Sequence, residues 1–200
     1  MNENPFDKKP KIDNLNQNKE QLKATIEVAK PEDWERVKNL RLAAIKGKDA
    51  QMFGVKTGVI QEEQRWTEEE WKKILSKNND FTMLSKVDSE DIGMIRAYER
   101  KNGIWHLAWA YIKDEEGKFR GKGLGKALYE APIEKIKELG VKKVTAFIYK
   151  NNPASFHIAE SIGFKKIPLF LSDHTISKKI KAFNESFIPV ELDLTKKETK

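Results

Sequence analysis

The stretch Arg120-Gly121-Lys122-Gly123-Leu124-Gly125-Lys126-Ala127-Leu128-Tyr129-Glu130 decides the fold. Alternating glycines stand among cations, and an amphipathic helical sequence follows at once. Glycine accepts left-handed backbone and lets the chain come close to a ligand. The first amides of a helix have no internal partner and point outward, at the positive end of the helix dipole. Such a terminus is an anion site, and Arg120, Lys122 and Lys126 add full charges to it. The stretch is therefore expected to hold a pyrophosphate on the amides of residues 121–126.

Spacing separates the common phosphate loops. A P-loop needs a glycine, four residues and then Gly-Lys-Ser/Thr; here Lys126 is followed by Ala127. A dinucleotide fingerprint needs G-x-G-x-x-G, and neither Gly121 nor Gly123 has a glycine at the third place. A kinase glycine-rich loop joins two strands, whereas this one enters a helix. What remains is R-x-x-G-x-G over Arg120, Gly123 and Gly125.

A short glycine pattern also occurs in ordinary turns before surface helices, so the downstream order carries weight. A helix is expected over about 123–139, stopped by Gly140. Lys143 to Tyr149 (KVTAFIY) alternates and is β-branched, which reads as a strand. Asn152-Pro153 then pairs an N-cap with a proline at the first helical position, and the helix from Ala154 to Ile162 closes at Gly163-Phe164. With its two motifs in this order, the chain resembles the GNAT superfamily of acyl-CoA N-acyltransferases.

That resemblance implies an α/β (α+β) fold. Its sheet is mixed but mostly antiparallel, with about six to seven strands, helices on both faces, and the fourth and fifth strands splayed to admit acyl-CoA. It implies acetyl-CoA as cofactor and acyl transfer to an amine, either a small molecule or a protein amino terminus. Tyr111 and Ile112, at the end of the fourth strand, are expected to pair with the pantetheine arm. Arg120, Gly121, Lys122, Gly123, Leu124, Gly125 and Lys126 would hold the pyrophosphate, with Asn152 and Ser155 bordering the cofactor. The family's usual tyrosine acid falls at Ala159, so that role does not carry over; Tyr149 is the substitute. For the base, His106 on the fourth strand has an ordinary pKa suited to the task, with Glu99 as the fallback through a water. Each of these side chains has a purely structural reading beside the catalytic one: a strand histidine, a strand-end carboxylate and a rim aromatic.

Composition bounds the rest. The chain has 200 residues, 38% of them hydrophobic, with five Trp and ten Phe, enough for one domain with a core. It has no cysteine, which excludes disulfides and thiolate chemistry. Three scattered histidines give no metal site. No stretch has the length and apolarity of a membrane span or signal segment, so a cytoplasmic protein with no membrane partner is expected. Of the net charge of +7, residues 1–23 carry +1 and residues 195–200 carry +2. No RNA-module signature accompanies the charge, so no nucleic-acid partner is expected, and any self-assembly is expected to be a homodimer.

Earlier in the chain, residues 1–22 are polar and are expected to be an arm without structure of its own. One domain is expected over 23–195, followed by a basic tail over 196–200. Ala24 to Ala29 alternates as a strand, Pro31 opens a helix, Gln51 to Ile60 reads as a loop, and Thr67 starts a capped helix ending near Leu75. Strands follow over 81–87, 93–99 and 104–112, and a final one over 189–194. Pro132 lies inside the helix that follows the glycine loop, where it is expected to remove a backbone bond and kink it. Two rival classes remain: a GNAT-fold module that binds acyl-CoA without catalysis, and a basic protein whose residues 120–126 contact nucleic-acid phosphate.

Overall fold

The computed structural model describes residues 24–48, 50–53, 56–100, 103–114, 117–168 and 186–195. The expected arm over 1–22, the tail over 196–200 and most of the segment before the last strand lie outside these residues.

The strands are β1 (Thr25–Val28), β2 (Asp80–Val87), β3 (Glu90–Glu99), β4 (Trp105–Ile112), β5 (Lys143–Tyr149), β6 (Lys165–Lys166) and β7 (Phe187–Asp193). The helices are α1 (Trp34–Lys46), α2 (Thr57–Arg65), α3 (Glu68–Leu75), α4 (Leu124–Glu138) and α5 (Pro153–Ser161). One sheet takes the strands in the order β1-β2-β3-β4-β5-β7-β6. Its pairs are antiparallel except β4 with β5, which run parallel.

The period-two pattern of the strands divides their side chains between two helical layers. Phe81, Met83, Ile95, Trp105, Leu107, Val144, Ala146 and Ile148 pack with Leu128, Ile133 and Ile136 of α4 and Ala159 of α5. Leu84, Met94 and Tyr111 point the other way, onto Val37, Leu40 and Ala44 of α1 and Trp71 and Leu75 of α3. The buried residues of α1 recur three and four apart, as an amphipathic helix requires.

Local chemistry fixes the element ends. Thr67 Oγ1 accepts from the Glu70 amide at 3.3 Å while Glu70 Oε2 accepts from the Thr67 amide at 2.7 Å, a reciprocal cap on α3. Asn152 Oδ1 accepts from the Ser155 amide at 3.0 Å, with Pro153 in the first turn of α5. Asp88 and Ser89 take φ of 50° and 69°, the left-handed pair that joins β2 to β3 tightly. α4 runs on through a buried Pro132.

One expectation is corrected. The region read as a loop over 51–60 instead contains a 3-10 turn at Ala50–Met52 and the start of α2. The buried residue of α2 is a charged one, Glu63, so the apolar periodicity that would reveal a helix is missing.

The sheet opens where β4 meets β5. Their register holds for Trp105, Leu107 and the residue between them, against Val144 to Ala146, and ends there. Beyond Leu107, β4 continues beside β3 and β5 beside β7. The cause lies within β4. Between the pairs Met94–Tyr111 and Arg96–Ala108 it carries one residue more than β3, a β-bulge that bends the strand away. Trp109, in the bulge, has φ of 58°, a conformation rare for a bulky side chain.

Candidate functional site

Two adjoining cavities open in the gap between β4 and β5. The larger, about 640 Å³, runs from Tyr111 and Ile112 over the start of α4 to Asn152 and Ser155 of α5. Its size and largely apolar lining suit an organic ligand. The smaller, about 230 Å³, is lined by Arg41, His106, Trp109, Phe147, Tyr149 and Phe187, among others. Met52, Phe53, Ala110, Tyr129, Asn152 and Ser155 line both, so the cavities share one wall.

Each glycine of the loop has its own physical reason. Gly121 and Gly123 sit at φ of 73° and 82°, and a Cβ on either would project into open space. Gly125 is there for packing, since a Cβ would come within 2.8 Å of Ile158 Cδ1 on α5. The loop is braced from behind: buried Asp114 accepts the Phe119 amide at 3.0 Å and pairs with Arg120 Nε at 3.3 Å. The outward amides of Gly123 to Lys126, the helix dipole and the side chains of Arg120 and Lys126 all bear on one end of the large cavity.

Every expected cofactor residue except Lys122 lines that cavity. Lys122 stands exposed outside its lining. Tyr111 is buried, its ring edge-on to Phe53 at 5.8 Å. Ile112 pairs with Gly93, where a Cβ would lie 2.6 Å from Ile112 Cδ1. Asn152 Nδ2 donates to the Met52 carbonyl at 3.4 Å, tying the turn before α2 to the start of α5. These features fit coenzyme A. The cavity joins an apolar groove, a strand edge that has parted from β5 and a glycine-lined helix terminus.

The expected catalytic residues separate. His106 and Tyr149 line the smaller cavity. Glu99 accepts from Asn79 Nδ2 at the end of β3 and lines neither cavity. Tyr149 packs against Phe187, ring centroids 5.4 Å apart. His106 differs from its sequence expectation of an ordinary, near-neutral pKa. It is 3% exposed, between the rings of Tyr98 and Phe147. Burial, with the charge of Arg100 added, pushes its pKa down to about 3. Thr145 Oγ1 donates to the Trp105 carbonyl at 3.2 Å and so must accept from His106 Nδ1, 2.9 Å away. That network assigns the proton to Nδ1 and the lone pair to Nε2.

Two features had no local signal in the sequence. Two guanidiniums lie over the ring of Trp109, Arg41 at 4.8 Å and Arg96 at 4.6 Å from its centre. Glu63 holds Arg41 through two hydrogen bonds of 2.7 and 3.0 Å, and Asp80 holds Arg96 likewise. These stacked cations fix the strained bulge residue in the wall of the smaller cavity. The second is Tyr129 of α4, whose hydroxyl lies 2.7 Å from Ser155 Oγ of α5 in the shared wall. Helical spacing alone marks Tyr129 as a core residue. Ala159, where the resemblance led one to look for a tyrosine, is fully buried.

Residues 23–165 match the family model described as the acetyltransferase (GNAT) domain. Among curated proteins, the mycothiol acetyltransferase of Propionibacterium freudenreichii subsp. shermanii is 27% identical over 88 residues, covering 38% of this chain and 28% of that protein. The match thus spans less than a third of that relative's length. Among solved structures, the PaiA N-acetyltransferase of Thermoplasma acidophilum, in complex with coenzyme A, superimposes with a TM-score of 0.63 at 18% identity, covering 86% of this chain and 99% of that one. A GNAT-family acetyltransferase of Staphylococcus aureus Mu50 gives a TM-score of 0.65 at 13% identity, with 86% and 99% covered. At these identities the structural likeness is one of fold.

Proposed function

Because this chain belongs to the GNAT acetyltransferase family, we propose that it moves an acetyl group from acetyl-CoA to a primary amine, of a small molecule or a protein amino terminus, by direct attack in a ternary complex. The observation that carries this reading is the shared wall: a cofactor-sized groove and a smaller aromatic cavity meet where β4 leaves β5. One cavity suits the donor and the other the acceptor.

Bound acetyl-CoA supplies a thioester already activated for attack. The amides from Gly121 to Lys126 hold its diphosphate, aided by Arg120 and Lys126. The edge of β4 that has parted from β5 beyond Leu107, with Tyr111 and Ile112 at its end, would hold the pantetheine amides, and a backbone N–H there would meet the charge that builds on the acetyl oxygen. Asn152 and Ser155 close the groove from α5. In the smaller cavity, the walls of Trp109, Phe147 and Tyr149 hold the acceptor against the thioester, and positioning of this kind supplies much of the rate. With its pKa near 3, His106 does not hold the amine's proton at neutral pH. Its Nε2 lone pair orients an amine that arrives already neutral.

The test is release of free CoA thiol from acetyl-CoA in the presence of a panel of primary amines, beside Gly123→Glu as control. Amine-dependent release, lost in the variant, is the expected result. CoA binding without turnover on any amine would instead favour a non-catalytic acyl-CoA module.

A further inference from the structure

We propose that Tyr129, paired with Ser155, is the acid that protonates the departing thiolate in this chain. The proposal rests on the acetyl-transfer reading above and adds to it a residue of α4, whereas the family's usual tyrosine belongs to α5. Ala159 has no proton to give and is sealed in the core. Some group must still meet the sulfur, which leaves as a basic anion when the C–S bond breaks.

Position selects Tyr129. With donor and acceptor in adjoining cavities the sulfur would lie at their junction, and six residues line both cavities. Of these, Met52, Phe53 and Ala110 carry no side-chain proton donor, and an amide such as that of Asn152 does not give up a proton to a thiolate. Tyr129 and Ser155 remain, 2.7 Å apart. α4 presents the phenol from the sheet side, and Asn152 fixes Ser155 in the first turn of α5 through its amide. Burial raises the pKa of Tyr129 and the Ser155 hydroxyl partly offsets that rise. The phenol therefore stays protonated at neutral pH, while its phenolate has a hydrogen-bond donor ready.

The proton count closes. The neutral amine nitrogen forms the C–N bond as the C–S bond breaks, and the C–S electron pair leaves on sulfur. Tyr129 Oη gives its proton to that sulfur, and the Ser155 hydroxyl donates to the phenolate that remains. The proton shed by the nitrogen as it becomes an amide restores the phenol. One proton has passed from nitrogen to sulfur, and no strong base is needed. This fits the depressed pKa of His106.

Tyr129→Phe keeps the ring in the core and removes the hydroxyl alone. With the fastest amine of the primary-amine panel, kcat should fall by about 10² while KM for acetyl-CoA stays unchanged. The alkaline limb of the kcat profile should vanish, and in Ser155→Ala that limb should move to higher pH. A second readout needs no acceptor: CoA should bind the native protein more tightly than desulfo-CoA, and Tyr129→Phe should erase that preference without weakening desulfo-CoA. Full kcat with an intact alkaline limb in Tyr129→Phe, or an unchanged preference for CoA, overturns the proposal and leaves the acetyl-transfer reading standing. If CoA binds and no amine is turned over, the acetyl-transfer reading falls and the proposal falls with it. A native protein that binds neither CoA nor desulfo-CoA overturns both.

Discussion

His106 shows how far a residue's surroundings can move it from its ordinary chemistry. Its ring is buried between two aromatic rings and takes a pKa of about 3, against 6.5 when exposed. Between those values the unfolded chain binds a proton that the folded chain refuses, so stability falls as pH is lowered through that window. The slope from this one group is at most about 1.4 kcal/mol per pH unit. Denaturant titrations from pH 7 to pH 4 should show the loss, and His106→Gln, which keeps a hydrogen-bonding side chain but does not titrate, should flatten it. An equal slope in that variant would mean that other groups carry the acid sensitivity. The glycines behave as residues too. Gly123→Ala meets no neighbour but forces a Cβ into left-handed backbone, which costs about 1–2 kcal/mol. The same methyl projects beside the amides meant for the diphosphate, so CoA affinity should fall along with stability.

At the scale of elements, the site depends on joints between helices and strands. α2 is anchored by the buried Glu63–Arg41 pair, and Arg41 in turn stacks on Trp109 in the β4 bulge. Glu63→Ala leaves a buried guanidinium without its carboxylate, an effect of about 3–5 kcal/mol. Chemical denaturation should show that loss, and tryptophan fluorescence should report a change around Trp109. A loss under 1 kcal/mol would place the pair in water and remove its positioning role. Gly125→Val tests the joint of α4 with α5. Its added atoms collide with Ile158, already 2.8 Å from a Cβ, and overpacking of this kind costs about 1–3 kcal/mol. The same joints explain what could be read in the sequence. α4, β5 and α5 were legible because their signals are local: a glycine at positive φ, an alternating β-branched run, and Asn-Pro at a helix start. α2 was not, because an ion pair to a residue far along the chain anchors it and leaves no apolar stripe. The Tyr129–Ser155 pair was illegible for the same reason, since it exists only where two helices meet.

At the scale of the whole molecule, a bulge in one strand opens the sheet and two helical layers hold the opening in shape. The groove so formed gathers the glycine loop, the end of β4 and the start of α5; these are far apart in sequence, and motif order alone points to them together. The Tyr129–Ser155 contact, the burial of His106 and the two guanidiniums over Trp109 are properties of the assembled fold. Whether the glycine loop and this groove hold coenzyme A is read out by a thermal-shift titration with acetyl-CoA, CoA and ATP. At about 100 times its dissociation constant a ligand of the folded state adds about 2.7 kcal/mol, a rise of about 5–10 °C for a chain of this length. That rise is expected with acetyl-CoA and with CoA, little is expected with ATP, and Gly123→Glu should lose it. No rise with either coenzyme, or an equal rise in Gly123→Glu, would contradict coenzyme A binding by the loop and groove.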